Sequence, residues 1–476
     1  MTTGATAQNT FIVAPRENDP YRYQAGFGNR FASEAIPGAL PVAQNNPKKV
    51  KYDLYTESIN GTSFVAPRAQ NQFTWTYRMR PSVAHNGFTK LPDNPDLEAN
   101  FHPSNPRVHF SPTQLAWSAL DIPPANQKVD FVAGLKTLAG NGDPTSREGL
   151  ATHVFAANTS MEKTAFCNAD GDMMILPQLG RLDIQTEFGK LMVRPGELVV
   201  VQRGLKFKIS LPDGHSRGYV QEIFGSHYEL PELGPVGANG LANPRDFESP
   251  VASFDIDRSP WEIIYKVGGQ LFVCNQDHTP FDVVAWHGNY IPYKYDLDKF
   301  AAMGSILKDH ADPSIYCVLT AKSKTPAAPL IDFVIFSPRW DATRNTFRPP
   351  FFHRNCATEM LGIIHGSYGG RSEALVAGSL SYESGFCPHG LSYKEFKAGT
   401  EAPDTPQIVY ADTLMIMFES CMQTTVTDYA MNRSGNLHTE HDPEMWKDLK
   451  AQFLDHVDEI NADLQTAGLP KLRGKL

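Results

Sequence analysis

Residues 180–209 read GRLDIQTEFGKLMVRPGELVVVQRGLKFKI, and this stretch decides the fold. Short apolar runs alternate here with turn residues at Gly189, Pro195-Gly196 and Gly204. Short strands joined by tight turns are typical of a β-sandwich or a barrel, and a jelly roll is the form we expect. The 36 glycines and 36 prolines of the chain favour the same fold class.

The same stretch resembles the two motifs of a cupin barrel, with Pro195-Gly196 as the turn between them. It lacks the histidine pair of a metal-binding cupin, so we expect a barrel without a metal. We predict a mostly β fold, a cupin-like double jelly roll or β-sandwich with peripheral helices and a C-terminal helix. The expected parts are a disordered extension (1–20), an N-terminal β domain with the metal-free barrel (21–300), and a C-terminal metal-binding cupin-like domain (301–476).

Residues 443–464 have the pattern of a helix. Pro443 begins the segment, and Gly468 and Pro470 follow it. Apolar residues recur at steps of three and four, namely Trp446, Leu449, Phe453, Val457, Ile460 and Leu464. We expect this stripe to pack against the barrel. Residues 231–250, by contrast, form a long loop without periodicity, which we expect to pack between domains or subunits.

Composition argues against several classes of partner. The chain has 476 residues, a net charge of −9 and no long basic block, so nucleic acid is not an expected partner. No stretch approaches the roughly 18 apolar residues of a membrane helix, and residues 1–17 lack a signal-peptide core. Six scattered cysteines without C-x-x-C spacing fit reduced thiols. We therefore expect a cytoplasmic protein with no membrane partner.

Residues 350–389 contain three side chains able to converge on a metal ion, His353, Glu359 and His389. Two neutral imidazoles and one carboxylate on one face of a metal leave other positions open, which suits Fe(II) that must meet a substrate and O2. From spacing alone, three unrelated polar residues are an equal alternative. However, Pro350-Phe351-Phe352 is apolar up to His353, and Glu359 interrupts an apolar run, so both need polar partners.

Long strings spread over the chain resemble the homogentisate 1,2-dioxygenase family. They are GFGN (26–29), QNNP (44–47), DFVAGL (130–135), TEFGK (186–190), GANGLANPRDF (237–247), VAWHGNY (284–290), DHADPS (309–314) and RPPFFHRN (348–355). The resemblance runs from about Tyr21 to Phe453. It implies an Fe(II) enzyme of tyrosine and phenylalanine catabolism that adds both atoms of O2 to homogentisate and opens its ring to 4-maleylacetoacetate. It also implies a homohexamer built from two trimers.

The resemblance further implies roles for individual residues. His353, Glu359 and His389 match the family's three iron ligands, and His389 also borders the substrate. His310 matches an active-site histidine expected to act as a base, and Tyr368 matches a tyrosine that contacts the substrate. A hydroquinone hydroxyl has a pKa near ~10, so binding it as a phenolate calls for a proton acceptor such as a neutral imidazole.

Other residues near these motifs have alternative interpretations. His287 could line the cavity, although packing against neighbouring aromatic residues is the interpretation we favour. His365 is expected at the solvent or behind the ligands. Cys356 and Cys387 flank the three ligands, but thiolate ligation suits Fe(II) and O2 chemistry less well than imidazole and carboxylate ligation.

One stretch departs from the family pattern. Around its last ligand the family typically reads Ser-Leu-His and then Thr-Pro-His-Gly-Pro-Asp, whereas residues 378–392 here read GSLSYESGFCPHGLS. The family's supporting histidine is missing, with Ser381 or Glu383 nearest, and the preceding run 369–374 is also altered. Two alternatives follow. One is the same chemistry on a related dihydroxyphenyl acid, and the other is a non-catalytic cupin-like binding protein, against which the three retained ligands argue.

Overall fold

The structure is a computed structural model that describes residues 12–13, 19–43, 46–304, 313–341, 344–368, 375–438 and 446–472. His310 and the altered run 369–374 therefore lie outside the described residues. None of the helices in these ranges is long and apolar enough to cross a membrane.

β-Strands make up most of the regular structure in the described ranges. They are β1 (Ile12–Val13), β2 (Tyr23–Ala25), β3 (Phe31–Glu34), β4 (Tyr55–Asn60), β5 (Phe73–Arg78), β6 (Phe88–Lys90), β7 (Val108–His109), β8 (Leu115–Trp117), β9 (Leu135–Asp143), β10 (Glu148–Ala157), β11 (Thr164–Asn168), β12 (Asp172–Leu179), β13 (Leu182–Thr186), β14 (Gly189–Val193), β15 (Glu197–Val201), β16 (Lys206–Ser210), β17 (Ser216–Ile223), β18 (Phe247–Pro250), β19 (Trp261–Val267), β20 (Gln270–Gln276), β21 (Val283–Gly288), β22 (Tyr293–Asp296), β23 (Cys317–Lys322), β24 (Pro329–Phe336), β25 (Arg339–Trp340), β26 (Thr358–His365), β27 (Leu380–Tyr382), β28 (Ile408–Val409), β29 (Leu414–Ser420) and β30 (Thr425–Thr427).

Helices are few and short. The α-helices are α1 (Phe131–Gly134), α2 (Tyr393–Glu401) and α3 (Val457–Thr466). Short 3-10 turns span Lys51–Asp53, Gly234–Val236, Pro244–Asp246, Leu297–Lys299, Pro313–Tyr316 and Gln452–His456, and a π-helical turn spans Tyr429–Arg433. The prediction of a mostly β fold is confirmed.

The two halves of the fold share a central sheet of eleven strands, in the order β1-β2-β18-β22-β15-β12-β17-β10-β9-β30-β7. On β12, Met173 and Ile175 face one side of this sheet and Met174 and Leu176 face the other, because strand residues alternate. The first pair packs in a core with the seven-stranded sheet β14-β13-β16-β11-β19-β20-β6. The second pair packs in a core with the six-stranded sheet β23-β24-β29-β26-β27-β8. The architecture is a double β-sandwich, which confirms the predicted β-sandwich fold.

Each half of the chain lends a strand to a sheet built mainly by the other half. β8 pairs with β27 at the edge of the six-stranded sheet, where Ala116 lies opposite Ser381. β30 joins the central sheet, where Val426 lies opposite Ala139. The two sandwiches are therefore joined because each contains a strand from the other half of the chain. The domain boundary near residue 300 stays a prediction.

A cluster of buried charges lies inside the N-terminal sandwich, on the strands β10, β17 and β19. The Lys266 ammonium lies 2.9 Å from carboxylate oxygens of both Asp170 and Glu222. His153 Nε2 lies 3.1 Å from Glu222 Oε2. Burial raises the pKa of the Glu222 carboxyl, but Lys266 and His153 outweigh burial and hold that pKa below its usual range. The Lys266 ammonium thus balances the charge of these two carboxylates.

The N-terminal extension includes ordered residues. β1 pairs with β2, and the buried Asp19 accepts hydrogen bonds from Tyr23 and from the Lys294 ammonium at 2.9 Å each. Asp19 thus neutralises a buried lysine, and disorder over the rest of residues 1–20 stays a prediction. Residues 1–11 and 14–18 lie outside the described residues.

The long helix predicted over residues 443–464 is wrong in its extent. Residues 439–445 lie outside the described residues, and helix α3 begins only at Val457 after the 3-10 turn Gln452–His456. No residue of α3 is fully buried and Phe453 is 60% exposed, so the apolar stripe is only partly covered. Without full packing a short helix gains little stability from its periodicity alone.

The loop over residues 231–250 is held by a few contacts. It contains the two 3-10 turns Gly234–Val236 and Pro244–Asp246. Between them, Leu241 is buried and its backbone N–H donates to the carbonyl of Ala301 at 2.8 Å. The loop thus packs where the two halves of the chain meet, as expected.

Candidate metal centre

Glu359 lies on β26, whose residues alternate between two environments. Met360 belongs to the core shared with the central sheet, whereas Glu359 and Leu361 line a cavity on the opposite face. The neighbouring strand β29 repeats this alternation and places Glu419 directly opposite Glu359. The period of two along a strand therefore selects which side chains of these apolar runs reach the cavity.

Backbone pairing brings the two histidines together. The N–H of His353 donates to the carbonyl of His389 at 3.1 Å, and the reverse bond has the same length. Glu359 and Glu383 exchange a similar pair of bonds at 2.9 Å each. The imidazole centroids of His353 and His389 consequently lie 4.1 Å apart. These pairings show why residues separated by thirty-six positions share one site.

The three side chains present one ligand atom each to a common point. Nε2 of His353 lies 3.4 Å from Glu359 Oε1, and Nε2 of His389 lies 3.4 Å from Glu359 Oε2. All three ligand atoms lie within 4.8 Å of one another. The triad expected from the sequence is therefore assembled in a geometry that could hold a metal ion.

The hydrogen bonds of the two imidazoles fix their tautomers. Nδ1 of His353 lies 2.9 Å from the carbonyl of Phe351, and Nδ1 of His389 lies 3.0 Å from the carbonyl of Cys387. Because a carbonyl only accepts, each Nδ1 carries a proton, so Nε2 is the atom of each ring that can bind a metal. His389 Nε2 is buried and makes no hydrogen bond. A buried nitrogen without a partner costs free energy, and coordination of a divalent metal would remove that cost. The residues present therefore fit such an ion.

Electrostatics keep the carboxylate of Glu359 ionised. Burial raises the pKa of Glu359, but His353, His389 and the amide of Asn355 outweigh burial and hold that pKa at about 2. Asn355 Nδ2 donates to Glu359 Oε1 at 2.7 Å and so fixes the orientation of the carboxylate. The hydrogen bond to Glu359 raises the pKa of His353; burial lowers the pKa of His389, but the contact with Glu359 outweighs burial and raises it. Ligand charge and orientation are therefore set by the chain itself.

The triad opens into a cavity of about 400 Å³. Apolar and aromatic side chains form much of its wall, namely Tyr316, Phe336, Phe351, Leu361, Tyr368, Leu391, Tyr410, Met415 and Met417. Arg339 also lines it, and its Nη1 is buried without a hydrogen bond. A wall of this kind suits a flat apolar ligand, and the arginine suits a negative charge on that ligand.

Glu419 adds a second carboxyl group to the same wall. Burial raises its pKa to about 8, with further contributions from the neighbouring carboxylates of Glu359 and Asp332. At pH 7 the group is therefore mostly protonated and can donate a hydrogen bond into the cavity. Glu359 and Glu419 thus differ in charge although they are cross-strand neighbours.

Several residues singled out in the sequence fall outside this arrangement. His287 is half-buried in β21, where its Nε2 lies 3.2 Å from the Tyr77 hydroxyl, so the packing interpretation fits. His365 is exposed, and its Nδ1 contacts the carbonyl of Asp412 at 3.1 Å. Cys356 and Cys387 lie beside the ligands without joining their group. Tyr368 does line the cavity, whereas the placement of His310 lies outside the described residues.

The stretch that departs from the family pattern contributes directly to the cavity. Ser381 and Glu383 are both buried and line its wall. Ser381 Oγ donates to Glu383 Oε2 at 3.5 Å, a long hydrogen bond. A serine and a glutamate of the stretch that departs from the family pattern thus form part of the cavity wall.

Sequence reasoning missed three residues of the site, Asn355, Arg339 and Glu419. Glu419 could have been found, since it is a single carboxylate in the apolar run LMIMFES (414–420), the same signal that identified Glu359. Asn355 carries no such signal, and its contact with Glu359 depends on the bend of the intervening loop. Arg339 reaches the cavity from the separate strand β25, which no local pattern relates to β26.

Comparisons with known proteins cover almost the whole chain. Residues 22–297 match a family model described as homogentisate 1,2-dioxygenase N-terminal, and residues 298–453 match its C-terminal counterpart. Homogentisate 1,2-dioxygenase of Oryza sativa subsp. japonica is 47% identical, over 91% of this chain and 92% of the relative. The proteins of that name from Arabidopsis thaliana and Homo sapiens are 47% and 46% identical, over 92% and 91% of this chain and 94% and 97% of their own lengths. On this evidence the chain is a member of the homogentisate 1,2-dioxygenase family.

Proposed function

We propose that this protein is an Fe(II)-dependent dioxygenase that opens the ring of homogentisate with O2 to give 4-maleylacetoacetate, a step of tyrosine and phenylalanine catabolism. The observation that carries the proposal is the triad of His353, Glu359 and His389 on the wall of a cavity of about 400 Å³. The names of the rice and human relatives support the choice of substrate.

The triad would hold the iron through two imidazole nitrogens and one carboxylate. Fe(II) in such a site supplies the redox chemistry with O2, and three protein ligands leave other positions open. The chain contributes the tautomers of His353 and His389, and the negative charge of Glu359. The ionised Glu359 favours a divalent cation at this site, whereas the raised pKa of the two imidazoles means that the metal must compete with protons for them.

Binding of the substrate is proposed to rest on the cavity wall. The apolar side chains would pack against the aromatic ring, and the Arg339 guanidinium would pair with the acid side chain. Tyr368 would donate a hydrogen bond to the same carboxylate. We expect Arg339→Met to raise KM at least about tenfold with a smaller effect on kcat, because one charge-assisted contact is lost. Arg339→Lys should recover part of the affinity, and an unchanged KM in both variants would remove this role.

Proton transfer is assigned to His310 on the family resemblance alone. A neutral imidazole near pH 7 would accept the proton of the substrate hydroxyl. His310→Ala should retain iron and slow turnover. A variant indistinguishable from the wild-type enzyme between pH 6 and 8 would contradict the assignment.

The assembly proposed from the same resemblance is a cytoplasmic homohexamer of two trimers. Analytical ultracentrifugation of the full chain tests the oligomeric state directly. A species of one or two chains at micromolar concentration would contradict it.

The decisive experiment measures O2 uptake by the Fe(II)-loaded protein. Homogentisate is compared with 2,5-dihydroxybenzoate and 3,4-dihydroxyphenylacetate under the same conditions. Rapid uptake with homogentisate, together with the absorbance of the ring-opened product, is the expected result. Normal iron content without uptake on homogentisate would favour the second candidate, the same chemistry on a related dihydroxyphenyl acid. The buried Ser381 and Glu383 on the cavity wall are the observation behind that candidate.

A further inference from the structure

Two thiols lie in contact beside the metal centre. The Sγ atoms of Cys356 and Cys421 are 3.7 Å apart. Cys356 is exposed and Cys421 is partly buried, so an oxidant in solution reaches Cys356 first. All six cysteines are reduced in this structure. The contact between these two thiols plays no part in the dioxygenase chemistry proposed above.

The fold holds this pair in place through two paired strands. β26 begins at Thr358 and β29 ends at Ser420, and these residues lie opposite each other in the antiparallel ladder. The Thr358 hydroxyl donates to the carbonyl of Met422 at 3.1 Å, which continues the pairing beyond the strand ends. Cys356 precedes β26 and Cys421 follows β29, so both lie just beyond the same end of this strand pair. Their proximity therefore follows from the register of the sheet.

The segment that carries Cys356 also carries part of the metal centre. Cys356 lies midway in sequence between His353 and Glu359. Its neighbour Asn355 donates to Glu359, and the carbonyl of Asn355 accepts from the N–H of Phe386 at 2.7 Å. A disulfide bond is about 2.05 Å long, so the two sulfur atoms must approach by about 1.6 Å to form one. Such a movement acts directly on the loop that orients the Glu359 carboxylate.

We propose that Cys356 and Cys421 form a reversible disulfide under attack by a peroxide, and that this bond weakens metal binding at the adjacent triad. Cys356 attacks one peroxide oxygen, the O–O bond breaks, and a sulfenic acid and one water or alcohol result. Cys421 then attacks the sulfenic sulfur, which forms the S–S bond and releases one water. Two thiols lose two electrons and two protons, and the peroxide takes up both. A dithiol reductant reverses the reaction.

The order of attack follows from the environments of the two thiols. Burial raises the pKa of the Cys421 thiol to about 12, with a further contribution from the contact with Cys356. A thiol of this kind is a poor first nucleophile towards a peroxide in solution. It lies within reach, however, of a sulfenic acid formed on Cys356.

Peptide mapping tests the bond itself. The full chain is treated with hydrogen peroxide in the presence of a chelator, alkylated, and digested with trypsin without reduction. Residues 355–371 and 398–433 are tryptic peptides with one cysteine each, Cys356 and Cys421, while 372–394 carries Cys387. The expected product is 355–371 linked to 398–433, lost after dithiothreitol. Recovery of both peptides separately alkylated, or a link to 372–394 instead, would overturn the proposal.

Metal affinity tests the coupling to the triad. Anaerobic Fe(II) titration against a competing chelator, after desalting, should show about tenfold weaker binding in the oxidised chain and full recovery after reduction. Cys421→Ser should show neither the link nor the change, whereas Cys274→Ala, on β20 of the other sandwich, should behave as the wild-type chain. Equal affinity of the linked and reduced chains, or the same loss in Cys421→Ser, would refute the coupling.

Discussion

Removing the amide of Asn355 should weaken metal binding without removing a ligand. Asn355 Nδ2 lies 2.7 Å from Glu359 Oε1, and Asn355 Oδ1 accepts from the N–H of Ala357 at 3.1 Å. The side chain thus joins the ligand carboxylate to the loop that leads into β26. Asn355→Ala would leave Glu359 in place but free to rotate away from the two imidazoles.

The size of the expected loss in Fe(II) affinity follows from the type of contact and from the burial of Asn355. A hydrogen bond to a charged group contributes about 1.5–3 kcal/mol, and groups that orient metal ligands typically change affinity about 10- to 100-fold. Asn355 is half-buried, so water can replace part of the lost contact. We therefore expect the lower part of this range, a rise in the Fe(II) Kd of about 10- to 30-fold.

Anaerobic titration of Fe(II) against a chromogenic chelator measures this Kd. Asn432→Ala is the matched control, because Asn432 makes the same amide-to-carboxylate contact, with Asp428 at 2.7 Å, on an exposed π-helical turn. The control should bind Fe(II) as the wild-type chain does. An Asn355→Ala variant within twofold of wild type would refute the reasoning.

The remaining predictions concern charge. Glu359→Gln should bind less than about a tenth of an iron per chain after anaerobic loading, because the only anionic ligand of the triad is lost. Glu419→Gln should keep its iron, because the carboxyl of Glu419 is already mostly protonated at pH 7. Equal iron content in both variants would contradict the assignment. Lys266→Met should lower the free energy of unfolding by about 3–5 kcal/mol in urea, because two buried carboxylates lose their counter-ion; a loss under about 1 kcal/mol would show that the cluster adapts. Burial lowers the pKa of His227, but Asp172 outweighs burial and raises that pKa. The stabilisation from His227 is therefore complete below its unfolded pKa of about 6.5 and is lost as the pH rises through the higher pKa of the folded state. His227→Gln should therefore destabilise the protein more at pH 6 than at pH 9, provided Asp172, whose pKa is lowered, stays ionised; a constant difference would refute the linkage.

Local patterns predicted the strands better than the way they assemble. The alternation and glycine turns of residues 180–209 reappear as β13 to β16. The sharing of strands between the two sandwiches could not be predicted, because β8 and β30 carry no sign of a partner more than 200 residues away. The C-terminal helix was predicted too long, because α3 begins only at Val457 and none of its residues is buried to support a longer helix.

At the metal centre, residue types were easier to predict than supporting contacts. His353, Glu359 and His389 follow from polar groups set in apolar surroundings and from the family resemblance. Asn355 and Arg339 act through loop geometry and through a separate strand, and neither is visible in periodicity. Glu419 gave the same signal as Glu359, yet its raised pKa follows from burial and from the neighbouring carboxylates, which only the folded arrangement shows.

The buried Lys266 makes the two sandwiches unequal in their dependence on the surroundings. Its ammonium is covalently part of the chain, so no chelator can remove it. Folding alone therefore brings the positive charge to its two carboxylate partners. The triad of the other sandwich depends instead on an ion that must be supplied from outside. Loss of the metal would therefore inactivate the sandwich that carries the triad, whereas the sandwich that carries Lys266 would keep its side of the shared sheet folded. A chain without its metal should therefore keep its fold and regain the site when the ion binds again.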